Sequence, residues 1–349
     1  MTYEKGLRMA LIGCGTWGET HAMLYSRGPR VDLVAVCDQK EERARGVAEK
    51  YGLDASAAFG DYREMLEKTA CDAVAIVTPD FAHRECAVYC ANQGKHILLE
   101  KPLATAKEDA DAMLEAFRRN HVRVMVDFHN RWNPPFAQMK KEMEDGEIGE
   151  PYSGYLRHSD CKWVATKMLP WAAKSSILWF LGSHAVDTLR WLFQSEADTV
   201  YAVSRKGILQ AEGVDTVDIY QYTVTFQNGC IAQVENGWIT PNSNPNVNDF
   251  NCTILGTKGM FHLNLSNHNL IQRFSDTVSV PDILVNNYVH GEPTGLAFQS
   301  IRHFVDRMID GAPFGVSIED AYNNTVTLLH VMKSAETGNP VKVQGLIPA

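Results

Sequence analysis

Residues Met9 to Asp38 read as one unit. An apolar run (Met9–Ile12) leads into the turn Gly13-Cys14-Gly15-Thr16-Trp17-Gly18 and a helical segment, Trp17–Ser26. A second apolar run, Leu33–Cys37, follows and ends on an acid. A G-x-G-x-x-G turn between a strand and a helix gives each glycine a separate task. Gly13 permits the tight turn, Gly15 lets the backbone approach a pyrophosphate, and Gly18 lets the helix pack on the strand. The helix start, with Thr16 and Trp17, offers phosphates free N–H groups and the positive end of the helix dipole. Asp38 lies about 20 residues past the last glycine, where a carboxylate can accept both ribose hydroxyls. The unit predicts a bound dinucleotide. A carboxylate there repels a 2′-phosphate, and the next residues are Gln39 and Lys40, not Arg or Ser, so NAD is favoured over NADP. Lys40 and Arg43 are the residues that keep NADP open. The plainer alternative is a glycine-rich turn between buried elements with Asp38 as a helix cap.

The alternation continues. Apolar runs at Ala73–Val77, Ile97–Leu99 and Val122–Val126 read as buried parallel strands, and Lys40–Tyr51, Ala82–Asn92 and Lys107–Asn120 as helices between them. Gly52 and Gly94 stand where helices stop. Such alternation implies right-handed crossovers and a doubly wound parallel sheet, a Rossmann domain over residues 1–130. Beyond it a helix, Pro134–Asp145, precedes strands at Tyr152–His158, Val200–Ser204, Cys252–Leu255 and Met260–Leu263. Asp218–Phe226 and Cys230–Trp238 flank the hairpin turn Gln227-Asn228-Gly229. Helices are expected at Leu178–Phe193, Gly295–Asp310 and Ile318–Gly338. Residues 131–349 are thus expected to form an α+β domain with an open, predominantly antiparallel sheet, its final helix able to pack back on the first domain.

Composition narrows the function classes. The 349 residues suit two domains, and 45% apolar with 21% charged residues is the balance of a globular protein. A net charge of −9 argues against nucleic-acid binding, which needs clustered Lys and Arg. No run approaches the roughly 20 apolar residues of a membrane helix. The first apolar run is too short for a signal peptide. The eight cysteines include no C-x-x-C pair, so no structural metal site or disulfide framework is expected. Nothing suggests export, and the sequons at Asn251, Asn264 and Asn323 are read as accidental. The expected setting is a reducing cytoplasm.

Further motifs make the chemistry specific. Leu99-Glu100-Lys101-Pro102 ends a strand downstream of the glycine turn; Thr78-Pro79 is followed by His83; Phe128 to Pro134 contains Arg131; and His184-Ala185-Val186-Asp187 lies in a helix. Together these resemble the Gfo/Idh/MocA family, named for glucose–fructose oxidoreductase, inositol 2-dehydrogenase and a rhizopine-catabolism protein. The resemblance implies NAD(P)-dependent oxidation of a sugar, glycoside or cyclitol hydroxyl. It also implies a homo-oligomer, dimer or tetramer, built on the open sheet. By matched position Lys101 and His184 are the catalytic residues. Thr78, Pro79, His83, Glu100 and Arg131 join Gly13, Gly15, Thr16, Trp17, Gly18, Asp38 and Lys101 as cofactor-binding candidates. Lys101, Asp160, Trp163, His184 and Asp187 are the substrate-binding candidates.

Residue chemistry agrees. Moving a hydride off a carbinol carbon requires the hydroxyl proton to leave in step. A neutral histidine, with an ordinary pKa near 6.5, can take it. A lysine ammonium stabilises the developing alkoxide. The bland readings are a solvated Glu-Lys pair and a core histidine. His158, Asp160, Lys162, Trp163, Trp171 and Trp179 crowd the approach to His184. Indole faces beside hydroxyl-binding acids would suit a ring with apolar faces and polar edges, with Asp160 and Trp163 the residues singled out. One departure stands out. The family commonly carries an Asp four residues before its histidine, and this chain has Phe180. Two alternatives follow: an enzyme with tightly held NAD that cleaves or epimerises by transient oxidation, and a catalytically weak NAD-binding regulator.

Overall fold

The structure is a computed structural model describing residues 6–348; the ends of the two expected domains, 1–5 and 349, lie outside the described residues. Two compact units emerge. One comprises the described chain up to His129 with Tyr288–Tyr322, the other Asn130–Asn287 with Asn323–Pro348.

In the first unit β1 (Leu7–Ile12), α1 (Thr16–Arg27), β2 (Val31–Cys37), α2 (Glu41–Lys50), β3 (Ala58–Phe59), α3 (Tyr62–Lys68), β4 (Ala73–Ile76), α4 (His83–Asn92), β5 (His96–Leu99), α5 (Lys107–Arg119) and β6 (Val124–Val126) follow in turn. The strands lie in the order β3-β2-β1-β4-β5-β6, every pairing parallel. This is the doubly wound order, whose direction switches between β1 and β4. Helices cover both faces of such a sheet, which is why β4 is buried along its whole length and reads as one apolar run. The periodicity missed β3 and α3. Two residues are too few to alternate, and seven too few for a helical stripe; α3 starts because Asp61 caps the Arg63 N–H at 2.6 Å.

The second unit opens with α6 (Pro134–Glu144) and β7 (Pro151–Asp160). A π-helical stretch, Leu178–Gly182, runs straight into α7 (Ser183–Phe193). Then come β8 (Ala197–Arg205), β9 (Ile219–Phe226), β10 (Ile231–Gly237), β11 (Asn248–Gly256) and β12 (Met260–Asn264). These strands and Val341–Lys342 form a seven-stranded sheet, β12-β11-β7-β10-β9-β8 and the terminal strand. Only β7 and β10 run parallel, so the sheet is mixed but mostly antiparallel. On β9, Tyr220, Tyr222, Val224 and Phe226 alternate into the core. Tyr152, Tyr201, Ile231, Leu255 and Met260 are exposed apolar residues of the same sheet. No described helix is long and apolar enough to cross a membrane.

Candidate active site

The glycine turn is built where the parallel sheet changes direction. Gly13 adopts φ 100°, and a Cβ there would lie 2.3 Å from the Val77 carbonyl oxygen, so the turns after β1 and β4 meet closely. A Cβ on Gly18 would sit 1.9 Å from the Gly13 oxygen. Both positions exclude any larger residue. Gly15 is different: a Cβ there meets nothing within 4 Å, so the backbone borders open space. No side chain caps α1 at Gly15, and its leading N–H groups remain available. Asp38 accepts the Cys14 N–H at 2.9 Å and the Lys40 N–H at 2.8 Å, one on each carboxylate oxygen. It therefore binds the glycine turn itself, beyond any capping of its own loop. Two carboxylate oxygens carry about four acceptor sites, which leaves capacity for hydroxyl donors.

At the ends of β4 and β5 the candidates tie the loops together. His83 is buried, with Nδ1 2.8 Å from the Pro102 carbonyl oxygen and Nε2 3.1 Å from that of Thr78. Its ring thus sits between the Thr78-Pro79 turn and the Lys101-Pro102 turn, the latter a cis peptide. Burial lowers its pKa, and the neutral ring, with one N–H, donates to one of the two carbonyls at a time. Glu100 is buried and accepts the Trp17 indole N–H at 2.8 Å, while Lys101 beside it is half-buried. The same Glu100 oxygen lies 3.1 Å from His21 Nε2, and His21 Nδ1 lies 3.0 Å from the Tyr25 hydroxyl. Trp17 also packs against His129, ring centroids 5.7 Å apart. Burial raises the Glu100 pKa, but the hydrogen bond from His21 and nearby positive charge outweigh it and hold the carboxyl below its usual range. One oxygen of Asp127 completes the group, within 4.8 Å of the His21 and Glu100 ligand atoms.

The sequence reading missed His21 and Asp127. Both had a signal. His21 stands one turn from both Trp17 and Tyr25 on the buried face of α1. Asp127 ends an apolar strand, as Asp38 and Glu100 do.

In the second unit His184 is the second residue of α7 and is 3% exposed. His158, on β7, brings its ring centroid within 6.1 Å of that of His184 and stacks at 3.9 Å and 8° on Phe250 of β11. The side chain of Asn236 pins the His158 backbone oxygen at 2.9 Å, and Tyr222 donates to Asn236 at 2.8 Å. Asp160 is buried and accepts from the Asn248 side chain at 2.5 Å. Trp163 is half-buried, its backbone N–H held by Asn242. Arg131 and Asp187 meet each other: Nε and an Nη of the guanidinium donate to the two carboxylate oxygens at 3.0 and 2.7 Å. The sequence assigned these two residues to different ligands, and the fold makes each the other's partner.

Phe180 falls in the π-helical stretch, its ring edge-on to Trp171 at 6.2 Å and tilted on Trp238 at 5.6 Å. Four residues separate it from His184, so both lie on one side of the helix. Where the family's usual carboxylate would stand, this chain has an aromatic cluster. The Asn/Pro-rich loop after Trp238 is knitted down rather than loose. Asn244 donates to the Asn246 and Asn248 backbone oxygens at 2.7 and 3.1 Å, and Asn246 to that of Val280 at 3.2 Å.

Two sequence models of a single family match this chain. The NAD-binding Rossmann domain of the GFO/IDH/MocA oxidoreductase family matches residues 7–128, and a carboxy-terminal domain of the same family matches 136–262. The chain belongs to the Gfo/Idh/MocA family. Among its relatives, the inositol 2-dehydrogenase of Salmonella typhimurium strain LT2 is 28% identical over 339 residues, 95% of both chains. The scyllo-inositol 2-dehydrogenase (NAD(+)) of Bacillus subtilis strain 168 is 28% identical over 346 residues, 97% of both. The fold is shared with scyllo-inositol dehydrogenase from Lactobacillus casei, solved with NAD(H) and scyllo-inositol. That match has a TM-score of 0.83 at 19% identity and covers 97% of this chain and 99% of the other. The first unit's residues fit the dinucleotide this family binds, with open space beside Gly15, an uncapped helix start and a carboxylate beside the turn.

Proposed function

We infer that this family member is an NAD-dependent dehydrogenase that oxidises a secondary ring hydroxyl of a cyclitol of the inositol class. The observation that carries the reading is similarity, over at least 95% of the chain, to two enzymes named for inositol oxidation. Bound NAD would supply the hydride acceptor. The chain supplies the rest. Gly13, Gly15 and Gly18 shape the phosphate cradle, and Thr16 and Trp17 open the helix that faces it. Asp38 takes the ribose hydroxyls and, being anionic, disfavours a 2′-phosphate. Thr78 and Pro79 border the cradle from the β4 side, with His83 holding that turn in place. The Lys101 ammonium steadies the negative charge that develops on the reacting oxygen, and His184 accepts its proton at a ring nitrogen. Asp160 and Trp163 are assigned to the substrate, as acceptor and apolar surface. Asp187, held by Arg131, fixes the helix that carries His184.

The test is a screen of inositols, sugars and glycosides, following NADH formation with NAD and NADP in parallel. Turnover of at least one inositol with NAD is expected, and exclusive turnover of a pyranoside would overturn the cyclitol assignment. Losing the ionic hydrogen bonds to ribose in Asp38→Ala should weaken NAD about tenfold or more. A preference for NADP that Asp38→Ala leaves unchanged would sink the ribose argument.

The exposed apolar side chains of the seven-stranded sheet support assembly with a second copy of the chain. Light scattering should return a mass of at least twice 39.0 kDa. A monomer at micromolar concentration would refute that part of the reading.

A further inference from the structure

We propose that His21 and Asp127 are positioning residues which confine the single negative charge of a buried acid pair to Glu100, beside the glycine turn and Lys101. Glu100 and Asp127 directly follow β5 and β6, which pair in register with Leu99 opposite Val126. Their carboxyls therefore reach the same edge of the sheet, an oxygen of each within 4.8 Å of the other. Two anions that close, away from water, repel far more than they would at the surface.

Hydrogen bonding decides which one keeps its charge. Glu100 Oε1 accepts from Trp17 Nε1 at 2.8 Å, and His21 Nε2 lies 3.1 Å away. The Tyr25 hydroxyl, 3.0 Å from His21 Nδ1, can donate to that nitrogen, which puts the histidine's proton on Nε2, facing Glu100. Asp127 is wholly buried, and neither of its oxygens has a hydrogen-bond partner among the described residues. The His129 ring nitrogen stands 3.9 Å off. A bare carboxylate in that place is costly, whereas a neutral carboxyl is much less so. Burial, with the Glu100 charge adding to it, pushes the Asp127 pKa up against the pull of His129. The groups facing the pair are Trp17, His21 and Tyr25 from α1, His83 at the start of α4, Lys101 after β5, and His129 after β6. Asp127 therefore carries the proton and Glu100 the charge. That charge grips the turn through Trp17 and favours the ammonium of Lys101.

The link to catalysis rests on the dehydrogenase reading; the charge assignment does not, and two measurements read it without substrate. In the infrared, the protein at neutral pH should show a protonated-carboxyl stretching band that Asp127→Asn lacks. With indole nitrogens labelled with 15N and the Trp17 signal identified from Trp17→Phe, that signal should be flat across the neutral range. In His21→Leu its titration should move up by about one unit or more into the mildly acidic range, so that the upper foot of the curve enters the neutral window, as loss of a charge-assisted hydrogen bond implies. His21→Gln, which returns an N–H donor, should restore the flat profile and also serves if the leucine variant folds poorly. With an inositol substrate, His21→Leu should lower kcat about tenfold, with glutamine recovering part of the loss. Absence of the infrared band, its persistence in Asp127→Asn, or an unchanged Trp17 signal in His21→Leu would overturn the charge assignment. So would a stoichiometric divalent metal surviving dialysis, since it would stand in the proton's place. Both spectroscopic results with an unaltered kcat would overturn the positioning role. A wild-type protein that turns over no inositol would instead count against the function reading.

Discussion

Lys101→Met is expected to lower kcat by about 10²–10³, the usual loss when one charged donor to a developing oxyanion is removed. Methionine keeps the unbranched stem and removes only the ammonium. The position directly follows Glu100, whose carboxylate is already held by Trp17 and lies beside His21. The glycine turn and Asp38 are untouched, so NAD affinity should stay within about twofold, less than one lost neutral hydrogen bond would cost. Steady-state NADH formation with the best inositol from the screen, beside direct NAD titration, separates the two effects. If activity survives the substitution, the lysine has been given the wrong role. A parallel loss of NAD affinity would mean that its charge serves the nucleotide, not the reacting oxygen.

Asp187→Ala should strongly destabilise the second unit. The Arg131 and Asp187 side chains are 8% and 0% exposed and are joined by two hydrogen bonds. Removing the carboxylate leaves a guanidinium buried without its counter-charge, a loss of about 3–5 kcal/mol. The pair links the short helical turn His129–Trp132 to α7, one turn beyond His184, so local order around the histidine should fall with stability. Six of the seven tryptophans (132, 163, 171, 179, 191 and 238) lie in this unit, so their fluorescence in urea reports its unfolding. A lower midpoint at unchanged slope is the expected signature. The double variant Arg131→Met with Asp187→Leu should recover much of the loss, because an apolar pair of similar volume needs no desolvated charges. A single variant as stable as the parent would mean that water reaches the arginine.

Much of the molecule was legible from residue order alone. Short-range rules specify a parallel strand, a glycine turn and a helix start: the turn demands positive φ at Gly13 and the close packing demands Gly18. Apolar runs marked five of the six parallel strands, and the hairpin at Gln227-Asn228-Gly229 marked its two flanking strands, because each signal spans only a few neighbours. Signals that are too short vanish, as β3 and α3 did.

Contacts between residues distant in sequence are set by the packing of whole elements. The acids after β5 and β6 became a pair only when the sheet placed those strands side by side, and α1 turned His21 toward them. The ends of β4 and β5 brought His83 between two carbonyls, and the second unit turned Arg131 onto Asp187. The aromatic cluster around Phe180 joins residues 171, 180 and 238 in the same way. Sequence alone determined the parallel α/β framework, the glycine turn and the acid beside it, because each depends on local backbone sterics and hydrophobic period. Tertiary structure decided which charges face each other and which of them keeps its proton, because burial and the partners that offset it exist only once the chain has closed.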